Sequence, residues 1–153
     1  MRDPRLDLRL HAANLLAAEE RPPDELEEVL RVVEAVRGSA LWKRAQAARR
    51  RLVEVPFALE VQRSDLGLDA GPDPVLLQGT VDLVFEEDDG WMLVDYKSDT
   101  ASHGLESLVR FYTPQVRIYR RYWERLTGRP TRAGLYFISA EETVWLDGGS
   151  PAP

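Results

Sequence analysis

The 153-residue chain contains no cysteine. That excludes disulfide staples and every thiolate-held metal, iron–sulfur clusters included. The fold must therefore stand on its hydrophobic core, and a chain of this length suffices for one domain of ordinary size. No run of about 18 apolar residues occurs, and the start lacks the features of a signal peptide, so neither secretion nor a membrane-spanning helix is expected. No Gly-x-x-x-x-Gly-Lys-Ser/Thr phosphate loop is present, so an ATP-driven motor would have to come from a longer parent chain or a partner. A basic excess is missing as well. The net charge is −6, whereas a surface that holds phosphates is ordinarily basic. No internal repeat or low-complexity tract is visible.

The distribution of charge says more than its sum. Acid dominates from Asp82 to Asp95, where Glu86, Glu87, Asp88 and Asp89 intervene without a base. Base dominates from Arg110 to Arg132, where Arg110, Arg117, Arg120, Arg121, Arg125, Arg129 and Arg132 face only Glu124. An arginine-rich helix beside an acidic site suits a polyanion, and a solvated helix face is the alternative. Lys43, Arg44, Arg49, Arg50 and Arg51 form a second basic cluster, read either as a DNA contact or as a docking surface.

What is present is a β-hairpin signal. Val75–Glu86 and Trp91–Lys97 are runs of β-branched and apolar residues, and the acidic turn between them carries the Asp89-Gly90 pair that tight hairpins favour. Side chains alternate along a strand, so Asp95 and Lys97 share a face and Tyr96 points to the other. Asp82 joins them if the middle of the first strand pairs with the end of the second. Gly79 allows a backbone or ligand to approach closely. Two carboxylates can hold a hard divalent cation, which activates water and neutralises charge on a phosphodiester, and Lys97 adds a fixed positive charge beside it. The alternative is a solvated ion pair of little consequence.

Elsewhere the pattern predicts helices over Asp24–Gly38 and from a Ser39 cap to about Arg50, with Leu26, Val29, Leu30 and Val33 forming an apolar stripe. Strand Leu52–Gln62 is expected to bury Val53, Val55, Phe57, Leu59 and Val61, followed by a loop over Ser64–Pro74. Pro114 fits best at the first turn of a helix, which predicts a short helical piece near Leu105–Arg110 and a longer one over Pro114–Leu126, with Gln115 and Tyr119 on one face. Strands are expected at Ala133–Ser139 and Thr143–Leu146, then a loose tail over Gly148–Pro153. The expected organisation is one domain over residues 1–147, helical to 51 with a core over 52–147, in an α/β fold with a mixed central β-sheet flanked by helices.

Gly79-Thr80-Val81-Asp82, Val94-Asp95-Tyr96-Lys97-Ser98 and Tyr112-Thr113-Pro114-Gln115 with Tyr119 together resemble the RecB-type nucleases of the PD-(D/E)xK superfamily. The likeness is to the C-terminal nuclease domain of bacterial AddA/RecB helicase-nucleases. Leu52-Val53-Glu54-Val55-Pro56-Phe57 resembles the strand that precedes their Gly-x-x-Asp hairpin, and the likeness runs from about Leu26 to Leu146. It implies a restriction-endonuclease-like core and a DNA exonuclease using Mg²⁺, with Mn²⁺ a substitute, Ca²⁺ able to bind, and no iron–sulfur cluster.

By the same resemblance Asp82, Asp95 and the backbone carbonyl of Tyr96 are metal ligands and Lys97 is the catalytic lysine. Gln115 and Tyr119 match a helical Gln-x-x-x-Tyr motif that borders the site, Tyr112, Arg117 and Arg121 contact DNA, and Glu54 is either a supporting carboxylate or a surface residue on the polar face of its strand. The implied partners are DNA, as single strands or unwound ends, and a helicase in the parent chain or a partner subunit. The implied setting is the bacterial cytoplasm, in double-strand-break repair and recombination. The family's upstream Gly-x-x-x-His helix motif has no full match: His11 has no glycine in register, and it is read either as a supporting ligand or as a helix-surface residue. His103 is expected in a loop. The departure implies either a first motif cut off with a longer parent or a catalytically inactive form that binds DNA or a helicase partner.

Overall fold

A computed structural model describes residues 4–66, 71, 73–99 and 104–146. The chain divides into two compact units, residues 1–43 and 44–153. The first holds α1 (Pro4–Ala18) and α2 (Leu26–Gly38), and α3 (Ala40–Ala47) begins in it and ends in the second. Ala12 and Leu16 of α1 are buried, and Arg9 of α1 pairs with Glu27 of α2. Helix α1 lies in the stretch expected to be helical to residue 51, but the pattern gives it no bounds because its leucines are not confined to one stripe: Leu10 and Leu15 remain exposed. Ser39 caps α3 as expected. Its Oγ accepts the Trp42 N–H at 3.1 Å and donates to the Val36 carbonyl at 2.6 Å, tying the end of α2 to the start of α3.

The second unit is a five-stranded mixed sheet in the order β1-β2-β3-β4-β5. The strands are β1 (Arg50–Val61), β2 (Val75–Glu87), β3 (Gly90–Lys97), β4 (Thr131–Phe137) and β5 (Glu142–Trp145). Neighbours are antiparallel except β3 and β4, which run parallel. Parallel neighbours need a crossover, and α4 (Leu105–Thr127) supplies it. Val84, Leu93, Leu135 and Phe137 of the sheet pack with Val116 and Tyr119 of α4 in one core, and Trp91 meets Trp123 edge to face at 5.3 Å.

Helix α4 is continuous, against the expectation of two pieces over Leu105–Arg110 and Pro114–Leu126. Pro114 removes one backbone donor, yet the face carrying Val116, Tyr119 and Tyr122 is buried along the helix, and that burial outweighs one lost hydrogen bond. The Thr113 hydroxyl donates to the Val109 carbonyl at 2.6 Å beside the proline. The helix ends at Gly128, whose left-handed φ of 65° lets its N–H reach the Glu124 carbonyl at 2.8 Å.

The acidic hairpin turn is neutralised by arginines from both sides. Glu86, a buried side chain, accepts from Arg50 Nε at 2.5 Å and pairs with Arg129. Arg44 holds Glu87 through two bonds of 3.0 and 2.8 Å, and Arg49 meets Asp88 at 2.9 Å. Three residues of the second basic cluster are thus engaged with hairpin acids. Arg50 and Arg129 hold the Glu86 carboxyl below its ordinary range. A depressed carboxylate contributes stability above its unfolded pKa and loses it as pH falls through the folded one. The melting temperature is therefore expected to drop below about pH 4.5, and Glu86→Gln should flatten that part of the profile. An unchanged acid limb in Glu86→Gln would refute the assignment.

Candidate active site

The β2–β3 backbone ladder stops at the pair Leu83–Val94. Past that pair, with Asp82 one residue further on β2 and Tyr96 two residues further on β3, the Asp82 carboxylate takes the next rung: its Oδ2 accepts the Tyr96 N–H at 2.7 Å. Asp95 is buried on the face opposite to Tyr96, and Lys97 places Nζ 2.5 Å from Asp95 Oδ2. Strand alternation thus brings Asp82, Asp95 and Lys97 to the end of the hairpin, as the sequence pattern predicts.

A backbone distortion lies beside Asp82. The β1–β2 register pairs Val53 with Leu83 and Val55 with Val81, but Glu54 and Asp82 between them are left out of the ladder. Glu54 has φ 53°, a left-handed conformation that costs a non-glycine residue about 1–2 kcal/mol. Regular alternation fails here: Val81 and Val84, three apart, both join the core against α4. For the same reason Val53 is 53% exposed, where simple alternation with Val55 and Phe57 predicts burial. Strain concentrated at one residue opposite a candidate ligand points to function. Glu54→Gly is expected to stabilise the fold by roughly 0.5–1 kcal/mol, since glycine relieves the strain but adds backbone entropy, while nuclease activity falls. Denaturant melts check the first and DNA cleavage the second; a less stable variant would sink the argument from strain.

Gln115 and Tyr119 meet on α4, with Gln115 Nε2 donating to the Tyr119 hydroxyl at 2.7 Å. Tyr119 also packs its ring edge to face on Phe57 at 4.8 Å. Gly79 is what allows this: a Cβ there would stand 2.8 Å from the Phe57 ring and 3.0 Å from the Tyr119 hydroxyl. The close approach expected at Gly79 is therefore made by two aromatic side chains. Tyr112, one stripe along α4, lies with its ring centre 4.0 Å from Lys97 Nζ and donates its hydroxyl to Asp99 Oδ2 at 2.9 Å. Asp99 escaped the sequence reading. The signal available was its place in Asp95-Tyr96-Lys97-Ser98-Asp99, together with the scarcity of lysine: only Lys43 and Lys97 among 20 basic residues.

Two of the remaining expected residues point away from Tyr119 on α4. Arg117 and Arg121 are exposed, each two positions from Tyr119 and so roughly 160° around the helix from it. His11 is exposed on α1 in the N-terminal unit. His103 lies outside the described residues.

The electrostatics of the group favour a cation. Burial pushes the Asp82 carboxyl up, opposed by the Tyr96 N–H, with the Asp95 and Glu54 carboxylates adding to the rise. Burial likewise pushes the Tyr96 hydroxyl up to about 12. Asp95 Oδ2 is buried and, although Lys97 supplies charge beside it, has no partner in hydrogen-bond geometry. No group of three or more His, Cys, Asp or Glu residues fit to hold a metal converges among the described residues. Two carboxylates fit Mg²⁺, which keeps several waters and takes one or two protein carboxylates, and do not make a caged calcium or zinc site.

Comparison with known proteins places the chain in a family. A 121-residue stretch is 38% identical to the ATP-dependent helicase/nuclease subunit of Heliobacterium modesticaldum, covering 74% of this chain and 8% of that protein. The Alkaliphilus oremlandii protein of the same name is 35% identical over 113 residues, 71% of this chain and 9% of its own length. That of Bacillus licheniformis is 32% identical over 141 residues, 85% and 11% respectively. The chain thus spans about a tenth of the length of these curated relatives. A solved structure titled "Crystal structure of SSO0001" superposes on 97% of this chain and 63% of that one with a TM-score of 0.43 and 12% identity, too distant to carry an argument. Residues 3–147 match the sequence model of the PD-(D/E)XK nuclease superfamily. With the mixed five-stranded sheet, the crossover helix and the match over nearly its whole length, this chain belongs to the PD-(D/E)XK nuclease superfamily.

Proposed function

We propose that this nuclease domain cleaves phosphodiester bonds of DNA with a divalent cation, Mg²⁺ foremost, with Mn²⁺ able to replace it and Ca²⁺ able to bind. The observation that carries the reading is the buried Asp95 carboxylate with the Lys97 ammonium beside it, next in sequence to the Tyr96 N–H that Asp82 accepts. Asp82, Asp95 and the Tyr96 carbonyl would hold the ion, which supplies charge neutralisation and an acidified water when bound. Lys97 keeps a proton and a positive charge at Nζ, where it orients the attacking water or offsets charge developing on the phosphate. Glu54 is preferred to His11 as the supporting group because it stands opposite Asp82 and adds to that residue's electrostatics. Gln115 and Tyr119 border the site and face the DNA backbone, while Arg117 and Arg121 reach phosphates away from the cleaved one.

The relatives are named helicase/nuclease subunits, which supports a helicase beside this domain. We infer that the domain works as an exonuclease beside a helicase motor, in a parent chain or a partner protein, trimming unwound ends during bacterial double-strand-break repair and recombination in the cytoplasm. Among the described residues no helix is long and apolar enough to cross a membrane. A second reading, an inactive module that binds DNA or a helicase, is favoured by the lack of a third side-chain ligand among the described residues. Incubating the protein with end-labelled single-stranded DNA, with Mg²⁺ or with a chelator, separates them. Cleavage that needs the metal supports the first reading, and retention of uncut DNA in both conditions supports the second.

A further inference from the structure

We propose that Tyr112 is a positioning residue that aims Lys97, and not a DNA contact; the proposal rests on Lys97 being the catalytic lysine. An ammonium on a four-carbon stem paired only with Asp95 is held near a charge but not in a direction. The Tyr112 ring supplies the direction. Its centre lies 4.0 Å from Lys97 Nζ, well inside cation–π range, while Asp95 Oδ2 stands 2.5 Å from the same atom. The ammonium is therefore held between a carboxylate of β3 and an aromatic ring of α4.

The ring is itself fixed from three sides. Its backbone belongs to α4, its ring packs edge to face with Phe111 at 4.9 Å, and its hydroxyl donates to Asp99 Oδ2 at 2.9 Å. Asp99 in turn is tied to the segment after β4, since its carbonyl accepts the Ser139 hydroxyl at 3.1 Å. Both features of Tyr112 that would serve a nucleic acid, the hydroxyl for a phosphate and the ring for a base, are thus committed within the protein. This side chain couples the crossover helix to the end of β3.

Only two lysines occur in the chain, so two sets of ε-methylene signals are expected in a proton–carbon spectrum of the metal-free protein. In wild type and Tyr112→Phe, the Lys97 set should be displaced upfield of the Lys43 set by the ring current. Tyr112→Leu should remove that displacement, and a Lys97 signal unchanged by Tyr112→Leu would overturn the contact. In single-turnover cleavage of labelled single-stranded DNA with Mg²⁺, Tyr112→Leu should lower the saturating rate about tenfold, the scale of a partly desolvated cation–π contact. The half-saturating protein concentration should not move, and Tyr112→Phe should stay within about twofold of wild type, the scale of one exposed hydrogen bond. A raised half-saturation at unchanged rate would make Tyr112 a DNA contact and overturn the proposal. Lys97→Ala run in parallel separates the two levels. Its retention of the wild-type rate would overturn the site reading and the proposal together, whereas its inactivity beside a fully active Tyr112→Leu would overturn the positioning role alone.

Discussion

Asp95→Asn is expected to remove the proposed metal-dependent DNA cleavage while leaving the fold intact. The expected loss in single-turnover rate is at least about a thousandfold, the upper range for deleting one preorganised charge-stabilising group. Asparagine keeps the volume of the buried side chain but removes its charge, and with it half of the carboxylate pair. Because Asp82 is pushed up partly by Asp95, the neutral variant also relieves a repulsion. The relieved repulsion is offset by the loss of the carboxylate paired with Lys97, so its melting temperature in chelator is expected to stay close to that of wild type. Metal linkage gives an independent check. Mg²⁺ at about 100 times its Kd should stabilise wild type by about 2.7 kcal/mol, and this gain should vanish in Asp95→Asn and in Asp82→Asn yet persist in Lys97→Ala. Cleavage at the wild-type rate in Asp95→Asn would sink the site assignment. Loss of metal stabilisation in Lys97→Ala would show that the lysine acts in folding the site and not only in chemistry.

The largest stability effect is expected at Gly90→Ala, a loss of about 3 kcal/mol or more. Gly90 opens β3 with φ 142°, a region glycine alone occupies without strain. A Cβ built there overlaps the Pro130 carbonyl oxygen, and that oxygen cannot retreat cheaply because it accepts the Trp91 N–H at 2.9 Å. The substitution thus sets backbone against backbone at the point where β3 meets β4. Denaturant unfolding of the variant measures the loss. A change under about 1 kcal/mol, the ordinary effect of a point mutation, would show that the strand start can shift to admit a methyl group. Since Asp95 and Lys97 lie on the same short strand, the variant should also cleave DNA more slowly.

Local chemistry accounts for the parts of the fold that were legible beforehand. The apolar strand run through Trp91–Lys97 and the Ser39 cap are short-range signals realised where the pattern places them, whereas the tight turn falls at Asp88-Asp89 and Gly90 opens β3. The common location of Asp82, Asp95 and Lys97 follows from them, because alternation and hairpin register leave little choice. Where a local rule competed with burial, burial prevailed: Pro114 reads as a helix start but sits inside α4, since the chain on both sides of it presents an apolar face to the sheet. The charges were misleading for a related reason. Glu86, Glu87 and Asp88 read as neighbours of the candidate ligands, yet Arg50, Arg44 and Arg49, far from them in the chain, neutralise them at the turn end of the hairpin.

By itself the sequence determined the hairpin and the face shared by Asp95 and Lys97, since both depend on neighbours within a few residues. Only the tertiary structure decided that Glu54 adopts a strained conformation opposite Asp82, that Gly79 admits Phe57 and Tyr119, and that Tyr112 lies against Lys97 with its hydroxyl on Asp99. Those contacts join strands and a helix distant in the chain. No local propensity encodes them, because they exist only once the core has closed.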